Sequence, residues 1–515
     1  MKIKLQISIF FISVFLALGV NAQQKTPLRL ELNAKLSEDS YTLIPCAENG
    51  LMLFYEEDGV LENEKKNWHI ALFDKQLQES WIQVSELNKG MSYFHYVLSK
   101  DILYLFFFSV EKKKSDEADF QILRIQLGDG NMTLREGFNP DKSEPTEFKI
   151  INDKAWIGIA HKNSGAQLNI TDLNTGVRNE VPIDIPNQNI ISGIFHDEAN
   201  ARVNIVVQNF DSKQQNGLYY QTFDLNGNLK HSAEIKPALN ERYLNTAELI
   251  SRDQDVYALG TYNAERGKVP YEGEDGLPQS AGFFIAKFEG NKQVFINYYN
   301  FLEFENLYNS LSGKDIMKIR KKAEKQKDKG SEYSLNYNLL LHPAMVDQDH
   351  LILLAEALYP EYRTVTNMYY DYYGRLMPQT YTVFEGYKYF NGIIAAFDEE
   401  GALVWDNDIE IWNVLTFDLE KYLNAYVQGR ELALFYSWEG KINYKIIDLD
   451  LQTSDSDQVN LEPKHKKDKV VEEVGSRILH WYDNYFVCFG YQEIKNNSLS
   501  KSKRSVFYVN KVAFQ

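Results

Sequence analysis

Short apolar segments recur along this chain at nearly regular spacing and are bounded by Asp, Asn or Gly. Eight of them start at Gly50, Asp101, Asp153, Ala201, Gln254, Asp349, Arg430 and Asn484. Successive starts are separated by 51, 52, 48, 53, 95, 81 and 54 residues. Because the segments are short, aromatic and β-branched, they predict buried strands. A repeat of about 50 residues built from strands predicts propeller blades or a solenoid.

Each apolar segment is the second of four predicted strands, which we call a to d. In the second unit they are Tyr93–Ser99, Asp101–Val110, Asp119–Leu127 and Asn131–Phe138. The c to d turn carries Asp and Gly, as in FDLNGNL at Phe223, TDLNTGV at Thr171 and FDEEGALVW at Phe397. In such turns Asp accepts hydrogen bonds from nearby amides and Gly adopts a positive φ. The turn resembles that of many bacterial β-propeller repeats, and the resemblance identifies a superfamily rather than a particular family.

The two ends of the chain are expected to meet in one blade. The eighth unit has predicted strands near 477–482, 484–493 and 504–514, and the sequence then ends without a strand d. A strand-like segment, Leu28–Leu32, precedes the first complete unit and could supply the missing strand. We therefore predict an all-β propeller of about eight four-stranded blades, closed by the N-terminal strand. Seven blades is the alternative if the region around 300–350 is misassigned.

The first 22 residues have the composition of a secretory signal peptide. Lys2 and Lys4 precede an apolar stretch that runs to Val20, and Ala22 ends a small-residue cleavage pattern. No later segment reaches the roughly 20 apolar residues of a membrane-spanning helix. We expect 1–22 to be removed, 23–515 to form one propeller domain without a transmembrane segment, and export to the periplasm or cell surface of a bacterium. The formal net charge of −17 disfavours nucleic acid as a partner.

The only two cysteines, Cys46 and Cys488, fall in the first and eighth predicted units. Ring closure would make these units neighbours, so a disulfide between them could lock the seam in an oxidising compartment. The alternative is a pair of buried thiols that pack as small apolar groups.

Long connections are predicted on one face of the ring. In an up-and-down blade the b to c and d to a connections share a face, and in this chain they include 58–67, 111–118, 264–280, 301–335, 359–388 and 494–503. The connections of the other face are short. Because loops on a rigid scaffold commonly carry binding and catalysis, this face is the expected working surface.

The insertion at 301–335 contains a predicted basic helix. A capping-box pattern, Ser312-x-x-Asp315, precedes it, and eight basic and three acidic residues lie between Lys314 and Lys329. Its candidate contacts for an acidic partner are Lys318, Arg320, Lys321 and Lys322. A solvated connector helix is the simpler alternative, because charge runs usually face water.

The insertion at 359–388 is predicted to be a long hairpin that turns near Asp371–Gly374. It is rich in tyrosine, which offers a large contact area with a polar tip and suits protein interfaces. The candidate contacts are Tyr359, Tyr362, Tyr369, Tyr370, Tyr372 and Tyr373. The alternative is that alternating rings pack the hairpin onto the neighbouring insertion as a core of its own.

Catalytic signals are weak. The sequence has no H-E-x-x-H, G-x-S-x-G, P-loop or dinucleotide motif. The histidines in or beside predicted strands, where a structural role is usual, are His69, His95, His161 and His480. Asp406, Asp408 and Glu410 alternate along one strand and could hold a cation, although solvated acids on an outer strand account for them more simply. We expect no metal and no cofactor.

Together these features predict a binding module that contacts an envelope protein or a glycan through the face with long loops. Two alternatives stay open. One is a carbohydrate hydrolase or lyase with its site in the central depression of that face, and the other is a structural subunit of a cell-envelope assembly. A non-enzymatic role is favoured, and the sequence leaves the oligomeric state open.

Overall fold

The computed structural model describes residues 28–36, 40–109, 118–139, 143–161, 165–211, 214–238, 242–263, 277–307, 313–328, 334–347, 349–449, 453–498 and 502–514. The expected signal peptide at 1–22 lies outside these residues. Within them, no helix is long and apolar enough to cross a membrane.

The described residues form eight antiparallel sheets, which we number in chain order. Strand β1 (Leu28–Asn33) comes first and belongs to the last sheet. Sheet 1 contains β2 (Thr42–Pro45), β3 (Leu51–Glu56), β4 (Lys65–Phe73) and β5 (Glu79–Asn88). Sheet 2 contains β6 (Met91–Ser99), β7 (Ile102–Ser109), β8 (Phe120–Gln126) and β9 (Met132–Gly137). Sheet 3 contains β10 (Ser143–Ile151), β11 (Lys154–His161), β12 (Gln167–Asp172) and β13 (Arg178–Pro182). Sheet 4 contains β14 (Gln188–Asp197), β15 (Arg202–Asp211), β16 (Gln214–Asp224) and β17 (Leu229–Ile235).

The second half of the ring carries the large insertions. Sheet 5 contains β18 (Tyr243–Arg252), β19 (Asp255–Asn263), β21 (Gly282–Glu289) and β22 (Lys292–Asn300). The short strand β20 (Gln279–Ser280) lies between β19 and β21 in the chain but pairs in sheet 6. Sheet 6 adds β23 (Tyr337–Leu341), β24 (Met345–Val346), β25 (Leu351–Tyr370), β26 (Leu376–Phe397), β27 (Leu403–Glu410) and β28 (Leu415–Thr416). Sheet 7 contains β29 (Asn424–Gln428), β30 (Glu431–Trp438), β31 (Lys441–Asp448) and β32 (Ser454–Asn460). Sheet 8 contains β33 (Lys469–Tyr482), β34 (Tyr485–Lys495), β35 (Lys503–Ala513) and β1. The helices are α1 (Gly313–Lys327) and the 3₁₀ turns Ala47–Asn49 and Phe301–Glu303.

Buried apolar clusters join each sheet to the next around a closed ring. Met52 of sheet 1 and Leu105 of sheet 2 belong to one cluster, and Leu53 of sheet 1 and Phe507 of sheet 8 belong to the cluster that closes the ring. The six remaining junctions have equivalent clusters. The chain is therefore a β-propeller, as its repeats predict. Among the described sheets, seven are regular four-stranded blades and sheet 6 is an enlarged one with seven strands.

The N-terminal strand closes the last blade, as predicted. β1 pairs antiparallel with β35, from Leu28 opposite Lys511 to Asn33 opposite Val506. Side-chain contacts also hold it to the sheet, since Arg29 donates to Gln492 at 2.8 Å and Glu31 lies 3.2 Å from Arg504.

The first strand of each sheet lies nearest the central axis. First strands of consecutive sheets contact one another, whereas fourth strands such as β32 are exposed along their length. Because strands follow in chain order within the seven regular sheets, b to c and d to a connections leave on one face, which we call the insertion face. Of the connections predicted for this face, residues 111–117 of 111–118 and residues 264–276 of 264–280 lie outside the described residues.

The short turns of the opposite face follow the predicted chemistry. Asp224 Oδ1 accepts hydrogen bonds from the amides of Asn226 and Asn228, each at 2.9 Å, and Gly227 has a φ of 86°. Asp172 accepts in the same way from Asn174 and Thr175.

The possible disulfide between Cys46 and Cys488 is not formed, and the alternative of two buried thiols describes them. Both thiols are free and fully buried. Cys46 packs in the cluster between sheets 1 and 2, whereas Cys488 packs in the cluster between sheets 7 and 8, so the two lie on opposite flanks of the seam. Burial raises the pKa of the Cys46 thiol to about 12 and that of Cys488 well above its ordinary value.

Candidate functional site

The segment from Tyr359 to Lys388, which we call the tyrosine hairpin, is an extension of β25 and β26 beyond the blade. Their register continues from Leu351 opposite Phe397 to Tyr370 opposite Leu376. At the tip, Asp371 Oδ1 accepts hydrogen bonds from the amides of Tyr373 (2.9 Å) and Arg375 (2.8 Å), and Gly374 has a φ of 73°. The tip therefore repeats the Asp and Gly turn that links strands c and d elsewhere in the ring.

Neighbouring elements hold the hairpin at its base. β28 pairs with Tyr387 and Lys388, and β23 pairs with β25 as far as Leu358. The hydroxyl of buried Tyr389 donates to the Glu420 carbonyl at 2.7 Å. Farther out, β25 and β26 pair only with each other among the described strands. The outer part is thus a two-stranded ribbon with two unpaired edges.

The ribbon has two different faces, because cross-strand partners share a side. One face carries the pairs Tyr362/Phe384, Thr364/Thr382, Thr366/Thr380, Met368/Pro378 and Tyr370/Leu376. The other carries Arg363/Val383, Val365/Tyr381, Asn367/Gln379 and Tyr369/Met377. The six predicted contact tyrosines therefore do not form a single patch: they divide between the two faces and the tip.

Exposure of these side chains increases toward the tip. Tyr359 is 42% exposed and its ring lies 5.9 Å from that of Phe390, whereas Tyr370 is 73% and Tyr372 is 96% exposed. The predicted packing of rings into a core of their own is therefore restricted to the base, where Tyr362 contacts Phe384. The outer tyrosines are presented to solvent.

The basic helix is present as α1, at Gly313–Lys327. Lys318, Lys321 and Lys322 are exposed on it. The side chain of Arg320 and the predicted cap Ser312 lie outside the described residues. The helix belongs to the connection that enters sheet 6, so it emerges from the same face as the hairpin.

Two of the three acids on this strand of sheet 6, Asp406 and Asp408, are buried, contrary to the simpler expectation, whereas Glu410 is exposed. Asp406 is 4% and Asp408 is 3% exposed. Asp406 accepts hydrogen bonds from the amides of Glu305 (2.9 Å) and Asn306 (2.8 Å), while Asp408 lies 3.4 Å from Lys445 Nζ. These carboxylates anchor the start of the 301–336 connection and the neighbouring blade. In the described part of the chain, no group of three or more His, Cys, Asp or Glu side chains could hold a metal ion.

A second candidate site lies on the central axis, where charged side chains from several blades converge. We call the following residues the channel cluster: His95, Glu147, Lys149, Glu248 and Lys421. They come from β6 of sheet 2, β10 of sheet 3, β18 of sheet 5 and the connection between sheets 6 and 7, so they are spread around most of the ring. Glu248 nevertheless interacts electrostatically with Glu147, Lys149 and Lys421, and His95 with both lysines. Such coupling across the ring places these groups around the axis.

Burial dominates the electrostatics of the channel cluster. It raises the pKa of Glu248 to about 7, with a smaller rise from Glu147 that Lys421 and Lys149 oppose. Burial also raises the pKa of Glu147. For His95, burial and then the charges of Lys149 and Lys421 lower the pKa to about 4. At neutral pH His95 is therefore uncharged and Glu248 is close to half-protonated.

The sequence analysis missed this cluster, although a signal was present. His95, Glu147 and Glu248 each lie four residues before the last paired residue of the first strand of their sheet, namely Ser99, Ile151 and Arg252. Aligning the repeats on their a to b turns would have placed the three polar residues in one column. Two of the other histidines singled out in the sequence have local contacts: His69 lies 3.2 Å from Glu57, and His480 lies 2.8 Å from the carbonyl of Asp483.

Comparison with known proteins identifies no family. No family model matches the chain, and no curated protein matches it. Among solved structures, the chain is similar to dihydro-heme d1 dehydrogenase NirN in complex with DHE, with 7% identity, 94% of this chain and 78% of that chain covered, and a TM-score of 0.43. It is also similar to the WD40 domain of SCAP from fission yeast (6% identity, 95% and 98% covered, TM-score 0.41) and to the β-propeller domain of the Trilobed protease from Pyrococcus furiosus (11%, 81% and 93%, 0.35). Likenesses this distant carry no argument about activity.

Proposed function

We propose that this protein is an exported binding module that holds another protein of the cell envelope through the tyrosine hairpin. The observation that supports this function best is the free-standing outer ribbon, whose two faces and two edges are open to solvent. The propeller acts as the rigid scaffold that presents it.

The outer ribbon lacks the usual protection of exposed strands. Exposed edges are normally blunted by charged side chains, because unpaired backbone groups otherwise recruit further strands. Here Thr364–Tyr370 and Leu376–Phe384 contain no charged residue in a chain of net charge −17. A two-stranded hairpin is also only marginally stable alone in water. A partner that covers this ribbon would supply the missing contacts.

The β25 edge is the better docking edge. Pro378 removes a backbone donor from β26, whereas β25 has no proline between Thr364 and Tyr370. A partner segment in extended conformation can add a third strand there by β-augmentation. The exposed rings of Tyr369 and Tyr370, which lie on opposite faces, would then contact it from both sides.

A protein suits this surface better than a glycan. Sites for small ligands and sugars are typically concave and combine apolar walls with convergent polar groups. The tyrosine hairpin is convex, and its paired faces alternate Tyr, Met and Thr without a carboxylate between Thr364 and Tyr370. Exposed tyrosines of this kind are typical of protein interfaces.

Export is part of the proposal and depends on residues 1–22. Expression in a Gram-negative host, followed by fractionation and N-terminal sequencing, should give an envelope-associated chain that begins at Gln23. A cytoplasmic chain that retains Met1 would contradict export while leaving the docking surface untested, so binding needs its own experiment.

Site-specific photo-crosslinking tests the docking surface directly. A photoreactive phenylalanine analogue at Tyr370 or Tyr372 should give an adduct with one envelope protein in the native host. Val177 is the matched control, because it is 67% exposed in a c to d turn on the opposite face. Equal adducts from Val177, adducts with glycan alone, or an adduct of twice the 59.8 kDa chain mass would contradict the proposal.

A further inference from the structure

Three polar side chains occupy equivalent positions around the axis. His95, Glu147 and Glu248 precede the a to b turn by the same even number of residues, with no register shift in between. Because side chains alternate along a strand, the three share one tier and one orientation relative to their blades. Lys149 lies two residues closer to the turn, about 7 Å along the strand at ~3.3 Å per residue.

Lys421 approaches the tier from the insertion face and is held there by a buried carboxylate. In sheet 7 the last paired residue of the first strand is Gln428, so Asn424, four residues before it, lies at the height of the tier. Lys421 precedes Asn424 by three residues and is exposed. Fully buried Glu356 accepts hydrogen bonds from the amides of Tyr422 (2.8 Å) and Leu423 (2.9 Å), and its carboxylate lies 2.6 Å from His342 Nε2.

The neighbouring residues fix this segment further. Glu420 is held through its carbonyl by Tyr389 and through its carboxylate by Arg477, whose guanidinium lies 3.7 Å from the centre of the Tyr422 ring. The backbone around Lys421 is therefore anchored to sheets 6 and 8. The position of Lys421 at the mouth of the channel is built into the fold.

Opposite charges converge in the channel without pairing. Within the described part of the chain, the carboxylates of Glu147 and Glu248 have no hydrogen bond or ion pair, although both interact electrostatically with Lys149 and Lys421. Buried charges are normally paired, because removal from water is costly. The two carboxylates are therefore available to a ligand that carries a positive charge.

We propose that the channel cluster binds a small zwitterion, a free amino acid or a dipeptide, with its ammonium group at Glu147 and Glu248 and its carboxylate at Lys421. Neutral His95 contributes a further hydrogen-bonding group at the tier. The order of charges follows the route of entry, since Lys421 stands at the solvent-exposed mouth and the carboxylates lie deeper.

Calorimetric titration of the full chain with glycylglycine at pH 8 tests this assignment. We expect binding of glycylglycine, and at least tenfold weaker binding of N-acetylglycylglycine, which lacks the ammonium group, and of glycylglycinamide, which lacks the carboxylate. Glu248→Gln should weaken glycylglycine binding at least tenfold. Lys421→Met should also weaken glycylglycine binding at least tenfold. It should leave the affinity for glycylglycinamide unchanged, because that probe has no carboxylate for Lys421 to bind.

Matched controls are Glu79→Gln and Lys292→Met, which change exposed residues on fourth strands. Both should bind glycylglycine as the unaltered chain does. Lys421→Met keeps the test valid if Glu248→Gln fails to fold, because Lys421 is exposed. Absence of glycylglycine binding, equal binding of N-acetylglycylglycine, tighter binding of cellobiose, or an equal effect of Lys421→Met on both dipeptide probes would overturn the proposal.

Discussion

Replacing Glu248 by glutamine should stabilise the protein at alkaline pH and leave its stability unchanged near pH 4. Burial raises the pKa of Glu248 from 4.5 to about 7, so the folded state holds a proton that the unfolded state releases between these values. Stability therefore falls as pH rises through this window. One pKa unit corresponds to about 1.4 kcal/mol, so the ionised carboxylate costs the fold about 3 kcal/mol above pH 7.

Glutamine keeps the shape of the side chain and removes the ionisation. Urea unfolding at pH 4, 6 and 8 should show that the variant's gain in the free energy of unfolding grows from near zero to about 3 kcal/mol across this range. The control variant is Glu79→Gln, because Glu79 is exposed on β5. Its free energy of unfolding relative to the unaltered chain should not change with pH. A variant that is equally or less stable than the unaltered chain at pH 8 would refute the inference that Glu248 is buried without a compensating partner.

His95 has the opposite dependence and must be separated from Glu248. The pKa of His95 is lowered from 6.5 to about 4, so between these values the unfolded state is protonated at His95 and the folded state is not. The free energy of unfolding therefore falls as pH drops through this range. Burial lowers the pKa of His95 most, and Lys149 and Lys421 lower it further. In the unaltered chain the two slopes oppose each other between pH 4.5 and 6.5. Comparing Glu248→Gln with the unaltered chain at each pH cancels the His95 contribution.

Three further predictions concern the scaffold. Glu356→Ala should lower the free energy of unfolding by about 3 kcal/mol or more, because it leaves the buried amides of Tyr422 and Leu423 without their acceptor. Chemical denaturation measures this loss, and a much smaller value would contradict the role given to Glu356. Phe507→Ala, in the cluster that joins sheets 8 and 1, should cost about 3–5 kcal/mol in the same assay and should reduce amide protection of β1 before that of sheet 4. Cys46 and Cys488 should both react with a thiol reagent in denaturant but not in the folded protein. A reductant should leave the melting temperature unchanged, and a lower melting temperature after reduction would instead indicate a disulfide.

Local chemistry explains why much of the fold could be predicted from the sequence. The buried second strands are apolar on both sides. The turns need Asp, whose side chain accepts hydrogen bonds from nearby amides, and Gly, which adopts a positive φ. Strands and turns can therefore be recognised as short sequence patterns. The same turn pattern placed the hairpin tip at Asp371–Gly374, where the structure has it. The strand-like Leu28–Leu32 was recognisable as the missing fourth strand because the last repeat is one strand short.

Properties that depend on how blades face one another could not be predicted in this way. The burial of Asp406 and Asp408 depends on the Glu305–Asn306 backbone and on Lys445, which come from other parts of the chain. The two cysteines were assigned to adjacent blades correctly, but which flank of a blade each thiol faces is set by packing between sheets.

By itself, then, the sequence determined the strands, their turns, the closing strand and the projecting hairpin, because each depends on residues close together along the chain or on the count of strands per repeat. The tertiary structure alone decided the channel cluster. His95, Glu147, Glu248 and Lys421 are separated by up to hundreds of residues, and they meet only because a closed ring directs the first strand of every blade toward one axis. Their shared burial, and the shifted pKa values that follow from it, are consequences of that closure.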